Sequence, residues 1–270
     1  MIDEVAPGIW VATADKYTTT TTVVAGAGGS CLVADPAVSP ADLDALSSWL
    51  SSRGLRPAVG WSTHPHWDHV LWSRGLGADV VRYATPRASL TAERELPGLT
   101  EGVRESAPGH DLALFGRVAP LSAAEVPWDG PRAVVIAHDA HAPGHGALFL
   151  PDSGVLVAGD MCSDIEIPLP DMDASDAAEA SGAAGASGAS DPFAAYRHGL
   201  GLLASQSGVR VVVPGHGHVG DAAEFSRRVA TDFAYLDAVA AGRDPRDPRL
   251  AQEWLRAEHE RHRAHVRDAG

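Results

Sequence analysis

Cysteine and lysine are almost missing from this chain. Two cysteines, Cys31 and Cys162, stand among 270 residues, too few for a disulfide framework. Cys31 lies in the apolar run SCLVADP and reads as a small core residue. Of 21 basic residues only Lys16 is a lysine, and 35 acidic residues leave a formal net charge of −14. A chain this acidic has no general attraction for a phosphate backbone, so nucleic acid is not an expected partner. Long apolar runs are lacking too. No segment approaches the ~20 residues of a membrane span. MIDEVAPGIWVATAD has neither the basic start nor the apolar stretch of a signal peptide, so a soluble, cytoplasmic protein is expected. With 45% hydrophobic residues, one large α/β domain has material for its core.

Short β-branched runs alternate with helical patterns. Residues 18–24 and 31–34 read as paired strands around the turn GAGGS. SPADLDALSSWLSSRG reads as a helix, with Ser39 as N-cap, Leu43, Leu46 and Leu50 on one face, and Gly54 closing it. Strands are expected at 58–61, 79–83, 132–137, 147–150, 155–158 and 209–213. Several of them end at a cluster of His, Asp or Gly, as strands do when they deliver functional loops to one edge of a sheet. Two helices are expected within 192–242. Between 173 and 191 the composition turns to Ala, Ser and Gly, which reads as a flexible insertion, inert or acting as a flap. The expected organisation is one domain over 1–240, followed by a charged, solvated helical tail over 241–270.

What the chain does have is histidine, thirteen in all, and three of them fall in STHPHWDHV with an aspartate. His64 and His66 are two apart, so on extended backbone they point to one side. Asp68 and His69 follow where the chain must turn, which suggests two adjacent metal positions. Each position needs ligands from elsewhere. Three later loops offer them: HAPGHGALFL presents His145, VLVAGDM places Asp160 at a strand end, and VVVPGHGHVG presents His216. Glycines beside each let backbone pass close to the site.

The motifs THPHWDH, HAPGHG, AGD and PGHG, in that order, resemble the metallo-β-lactamase-fold hydrolase superfamily, in its glyoxalase-II-like or lactonase-like branch. The resemblance covers roughly residues 5–220. It implies a mixed α/β fold, a four-layer αβ/βα sandwich with the site at one edge between two similar halves. It also implies that His64, His66 and His145 hold a first metal, and that Asp68, His69 and His216 hold a second, with Asp160 bridging. Zinc is the expected ion, with iron or manganese fitting the same donors. Asp35, ending CLVADP, matches a frequent acidic position and is expected to support the ligands from behind, as is His141.

The chemistry so implied is attack on a thioester, lactone or related ester or amide bond of a small molecule by a hydroxide bridging two metals, with Asp68 orienting it and passing its proton on. Antibiotic hydrolysis fits less well, because Asp160 stands where that branch carries a cysteine ligand and the second half has no lysine to meet a carboxylate. The alternative is a mononuclear iron sulfur dioxygenase of the same fold. Trp67 and Tyr196 are candidates for a pocket wall, against the plainer reading of core or rim. His218 reads as an exposed loop residue, and His259, His262 and His265 as part of the solvated tail.

Overall fold

The period-2 alternation of the strands sorts their side chains into two cores on opposite faces. The computed structural model, which describes residues 1–172 and 191–269, forms two sheets. The first runs in the order β1 (Ile2–Ala6), β2 (Ile9–Thr13), β3 (Thr20–Ala25), β4 (Ser30–Ala34), β5 (Arg56–Trp61), β6 (Arg82–Ala84) and β7 (Ala119–Pro120). The second sheet comprises β8 (Val134–His138), β9 (His145–Leu150), β10 (Val155–Gly159), β11 (Val211–Pro214) and β12 (Gly220–Asp221), paired in that order. Val24, Leu32, Ala34, Val59 and Trp61 of the first sheet meet Leu148, Leu150, Val155, Val157 and Val213 of the second in a central core. The intervening residues face outward. Val23, Cys31 and Val33 pack under α1 (Pro40–Ser52), near α2 (Pro86–Arg94) and α3 (Leu96–Ser106). Ala147, Phe149, Leu156 and Val212 pack under α4 (Pro192–Ala204), α5 (Ala222–Ala240) and α6 (Glu253–Ala269). The result is the four-layer sandwich, helices outside and two sheets within.

The site edge follows from two parallel crossovers. β4 and β5 run parallel, joined through α1, so both end on the same side, at Ala34 and Trp61. Ser39 caps α1 in a reciprocal box with Asp42, Leu43, Leu46 and Leu50 are buried beneath it, and Gly54 follows its last turn at φ +67°. In the second sheet β10 and β11 are also parallel, and their ends deliver Asp160 and Gly215–His216. The two edges are stitched together: Thr20 N–H donates to Gly215 O at 2.8 Å, and the Thr20 hydroxyl donates to Pro214 O at 2.5 Å.

Two expectations need correction, and a third falls outside the described residues. The strand expected at 79–83 begins only at Arg82, because Asp79 is exposed and only the following residues pair with β5. The tail is not a solvated appendage beyond residue 240. Leu255, His259 and His262, spaced i, i+4, i+7, form a buried stripe on α6. The Tyr235 hydroxyl lies 3.0 Å from His259 Nδ1 and 2.8 Å from His262 Nδ1. Upstream, buried Arg249 donates to buried Asp232 at 2.8 Å across the expected boundary. Histidine counted as charge hides this stripe, since a neutral, hydrogen-bonded imidazole buries readily. The Ala/Ser/Gly-rich stretch expected to be flexible lies outside the described residues except for Asp191, which caps α4 by accepting from Phe193 N–H at 3.0 Å.

Candidate metal centre

His64, His66, Asp68 and His69 sit on the short turn after β5, and other strand ends bring the remaining donors to them. His64 Nε2 lies 3.1 Å from His66 Nδ1, and His141 Nε2 lies 3.1 Å from the same atom. Asp160 Oδ2 stands 3.4 Å from His64 Nε2 and 3.3 Å from His141 Nε2. Beside this group, His216 Nε2 is 3.2 Å from Asp68 Oδ2, and His69 Nε2 is 3.8 Å from it. Asp160 spans both groups: Oδ1 is 3.1 Å from His69 Nε2, and Oδ2 is 3.4 Å from His216 Nε2. Each group gathers donors close enough to share one metal ion.

The outer nitrogens explain which atoms face inward. Thr63 donates its hydroxyl to Asp35 Oδ2 at 2.7 Å, which leaves its oxygen to accept from His64 Nδ1–H at 3.0 Å. His141 Nδ1 meets the Leu169 carbonyl at 2.9 Å, and His216 Nδ1 meets the Tyr17 carbonyl at 3.1 Å. His69 Nδ1 faces Asp35 Oδ2 at 3.1 Å. A carbonyl or carboxylate beside Nδ1 favours the proton there, so all four rings direct Nε2, the atom through which each would ligate, toward the centre. Three imidazole nitrogens converge within hydrogen-bond distance, and one proton on His66 Nδ1 could serve only part of this cluster, whereas a cation would engage all three. The buried Asp160 Oδ1 and His69 Nε2 face each other at 3.1 Å without hydrogen-bond geometry, and neither has another partner among the described residues. The donor set therefore fits metal ions, borderline in hardness, of the zinc or iron type.

Electrostatics divide the rings. Burial keeps His64 well below the usual imidazole range and pushes His66 down to about 3, so both stay neutral, the form that ligates. Burial also acts against charge on His69, but Asp160, Asp68 and Asp35 together lift it well above that range. His216 rises in the same way, against burial, through Asp160 and Asp68. The second group thus carries the stronger negative potential of the two, which favours a cation there.

His145 does not stand where the sequence put it, and Tyr196 takes the plainer of its two readings. His145 is the first residue of β9, fully buried, with Nε2 2.9 Å from the Ala158 carbonyl and its ring stacked behind His64 at 5.1 Å. His141, expected only to support the site, completes the first group in its place. The reason is local: the β8–β9 loop holds His141 out at its tip, while β9 carries His145 inward beneath Gly159. Gly159 sits at φ +58°, and a side chain there would collide with the His145 ring. Tyr196 is core, 2% exposed on the inner face of α4 with Phe193, Leu200 and Leu203. Trp67 is half-buried beside exposed Tyr17 (ring centroids 6.4 Å), and Tyr17 lies 6.3 Å from the His216 ring, so this pair borders the second group. Asp35 contacts His69 and Thr63 as described. His218 is exposed and pairs with Asp164 at 2.8 Å. Sequence reading passed over Glu166, whose carboxyl burial pushes up to about 7, with His216 opposing and Asp160 adding to the shift.

Among the described residues, no helix is long and apolar enough to cross a membrane. The fold is shared with solved structures. A metallo-beta-lactamase family protein from Thermus thermophilus is 20% identical, with 99% of this chain and 95% of that one covered and a TM-score of 0.65. A beta-lactamase domain protein from Burkholderia ambifaria is also 20% identical, covering 89% of this chain and 75% of its own, with a TM-score of 0.63. TTHA1623, solved in a di-iron-bound form, is 22% identical over 81% of this chain and 97% of its own, with a TM-score of 0.57. Among curated proteins none matches at a significant level. Residues 15–216 match the family profile described as Metallo-beta-lactamase superfamily, and with the fold in agreement the chain belongs to that superfamily.

Proposed function

We propose that the chain is a metal-dependent hydrolase of small molecules, cleaving a thioester, lactone or related ester or amide bond at a two-metal centre. The observation that supports this most is the placement of Asp160, one carboxylate in contact range of His64 and His141 on one side and His69 and His216 on the other. His64, His66 and His141 would hold one ion and Asp68, His69 and His216 the other, with Asp160 shared. When bound, such ions lower the pKa of water and polarise a carbonyl oxygen. Zinc suits the donors, and iron fits them as well.

The chain's own residues do the rest. Asp68 Oδ2 faces the centre beside His216, so it is placed to orient an attacking water and to take its proton. His64, Thr63 and Asp35 form a hydrogen-bonded line that fixes one ring, and Asp35 fixes the His69 ring as well. No side chain needs to act as a nucleophile. The test is metal content by mass spectrometry, paired with turnover of an S-acylglutathione, a homoserine lactone, a β-lactam and a phosphodiester, with zinc and with iron. Two ions per chain and turnover of a thioester or lactone are expected. One tightly bound iron with no hydrolysis of either would overturn the proposal in favour of a mononuclear oxidative enzyme.

A further inference from the structure

The pairing of β10 with β11 stops short of the donors that these strands deliver. Its last rung sets Gly159 against Pro214, and Gly215 N–H donates to Gly159 O at 2.7 Å, so Asp160 and His216 both stand on irregular backbone. Past that point side chains take over from the ladder. The buried Ser163 hydroxyl donates to His216 O at 2.7 Å and accepts from Ile165 N–H and Glu166 N–H, each at 3.1 Å. Asp164 Oδ1 accepts from His218 N–H at 2.8 Å.

A further cross-link reaches both loops from α5. Arg228 is 3% exposed, and its Nη1 donates to Cys162 O at 3.3 Å and to His218 O at 2.8 Å. Those carbonyls stand two residues beyond Asp160 and two residues beyond His216. One guanidinium nitrogen therefore ties the two loops at matching places. Nε of the same side chain donates to Glu224 Oε2 at 3.3 Å, one turn earlier on α5, which holds the fork in place. Cys162 itself sits at φ +56°, a left-handed conformation that a residue other than glycine keeps only where its surroundings impose it. Arg228 lies beyond the residues 15–216 that match the superfamily profile, so membership alone does not account for it.

We propose that Arg228 is a positioning residue of the metal centre, which fixes the spacing of Asp160 and His216 by bridging the loops that carry them. This rests on the two-metal reading above, and it gives the second ligand group a control that lies outside the ligands. Asp160 Oδ2 stands 3.4 Å from His216 Nε2, so the spacing of the two loops sets the width of that group. His64, His66 and His141 reach the first group from other turns and share only Asp160 with this pair. Loss of Arg228 should therefore fall on the second ion. Charge alone predicts the opposite sign. A guanidinium near the centre repels a cation, so its removal would tighten metal binding if electrostatics decided the outcome.

The test titrates the full chain with cobalt(II), whose visible absorption reports its coordination geometry, against a competing chelator. Arg228→Met keeps an apolar stem and removes the fork. We expect it to weaken the step assigned to Asp68, His69 and His216 at least about ten-fold, and the other step by less than about three-fold. The spectrum of the weakened step should change with it. Leu50→Ala is the control for general loosening. It truncates a buried residue at the end of α1 that meets the start of β5, away from the site, and should leave both steps alone. Where Arg228→Met does not fold, Ser163→Ala decides: it should weaken the same step, and unchanged binding there would overturn the proposal. In folded Arg228→Met, wild-type affinities and spectrum, tighter binding, or equal weakening of both steps would overturn it. The same selective loss in Leu50→Ala would overturn it as well. A wild-type chain that binds two ions but turns over no thioester, lactone, β-lactam or phosphodiester would overturn the hydrolase reading. With the selective loss still present in Arg228→Met, the positioning role would stand.

Discussion

Replacing Asp35 by Asn changes one oxygen for an amide nitrogen, yet it should disturb one ligand from each metal group. Asp35 Oδ1 accepts from Thr63 N–H at 2.8 Å, and Oδ2 receives the Thr63 hydroxyl at 2.7 Å and faces His69 Nδ1 at 3.1 Å. The residue sits at φ +49°, a conformation that Asn tolerates as well as Asp, so the backbone need not move. In the variant the carbonyl oxygen must stay opposite the Thr63 amide, which leaves the NH2 group facing both His69 Nδ1 and the Thr63 hydroxyl. Two donors then meet at His69, and the ring relieves the clash by moving its proton to Nε2. That atom is the one aimed at Asp160, and a protonated Nε2 cannot ligate. The Thr63 hydroxyl loses its acceptor at the same time, which loosens His64. Outer partners of metal-bound histidines are worth about 10–100-fold in metal affinity, or roughly 1.4–2.8 kcal/mol at 1.4 kcal/mol per decade. The assay is competitive zinc titration against a chromophoric chelator, resolving two steps, with metal content after gel filtration as a check. The weaker step, assigned to Asp68, His69 and His216, should weaken by one to two decades, and the other by less. Two wild-type affinities in Asp35→Asn would refute the argument that this carboxylate sets the tautomers.

Other perturbations separate roles that the sequence confuses. Asp160→Ala should lose at least one ion and nearly all turnover while its far-ultraviolet dichroism stays that of the wild type. Full activity in that variant would remove the shared carboxylate from the mechanism. His141→Ala should bind one ion fewer, whereas His145→Ala should keep its metal stoichiometry and lose roughly 2–4 kcal/mol of stability by emptying a buried site, read by urea denaturation. Arg249→Ala strands the buried carboxylate of Asp232 and should cost roughly 3–5 kcal/mol, with Arg249→Ala/Asp232→Ala recovering part of it. Burial lowers His138 and His262 from 6.5 to about 4 in the folded chain, so between those values the unfolded chain binds more protons. Stability is then complete above pH 6.5 and declines as pH falls toward 4. Melting curves across that window should show the slope, and it should flatten in His262→Asn.

The layers and most donors of the candidate centre were legible because they follow local rules. An apolar run that stops at Gly-Asp or Pro-Gly-His marks a strand end, and parallel strands put those ends on one edge, so His64, His66, Asp68, His69, Asp160 and His216 could all be picked out from spacing. The exchange of His141 for His145 turns on where β9 begins. HGALFL is buried from its first residue, and a histidine opening such a run belongs to the sheet interior, whereas the one in the preceding loop is free to reach a ligand. The plainer reading of Tyr196 as core has its reason in the sequence, because Phe193, Tyr196, Leu200 and Leu203 recur at helical spacing along α4. The tail was harder. Its buried stripe is made of Leu255 and two histidines, which an apolar period does not register, and its position is set by Arg249, Gln252 and Tyr235 across long stretches of chain.

The separation of the ligands along the chain has a consequence for biosynthesis. Four donors are present once residue 69 has emerged from the ribosome, but His141, Asp160 and finally His216 arrive much later, and His216 is seated only when Thr19 and Thr20 pair with the end of β11. A nascent chain therefore cannot form the finished centre before its two halves have docked. With metal held as proposed, its occupancy would report completed assembly, and a chain that misplaces the later sheet would be marked by the ions it fails to retain.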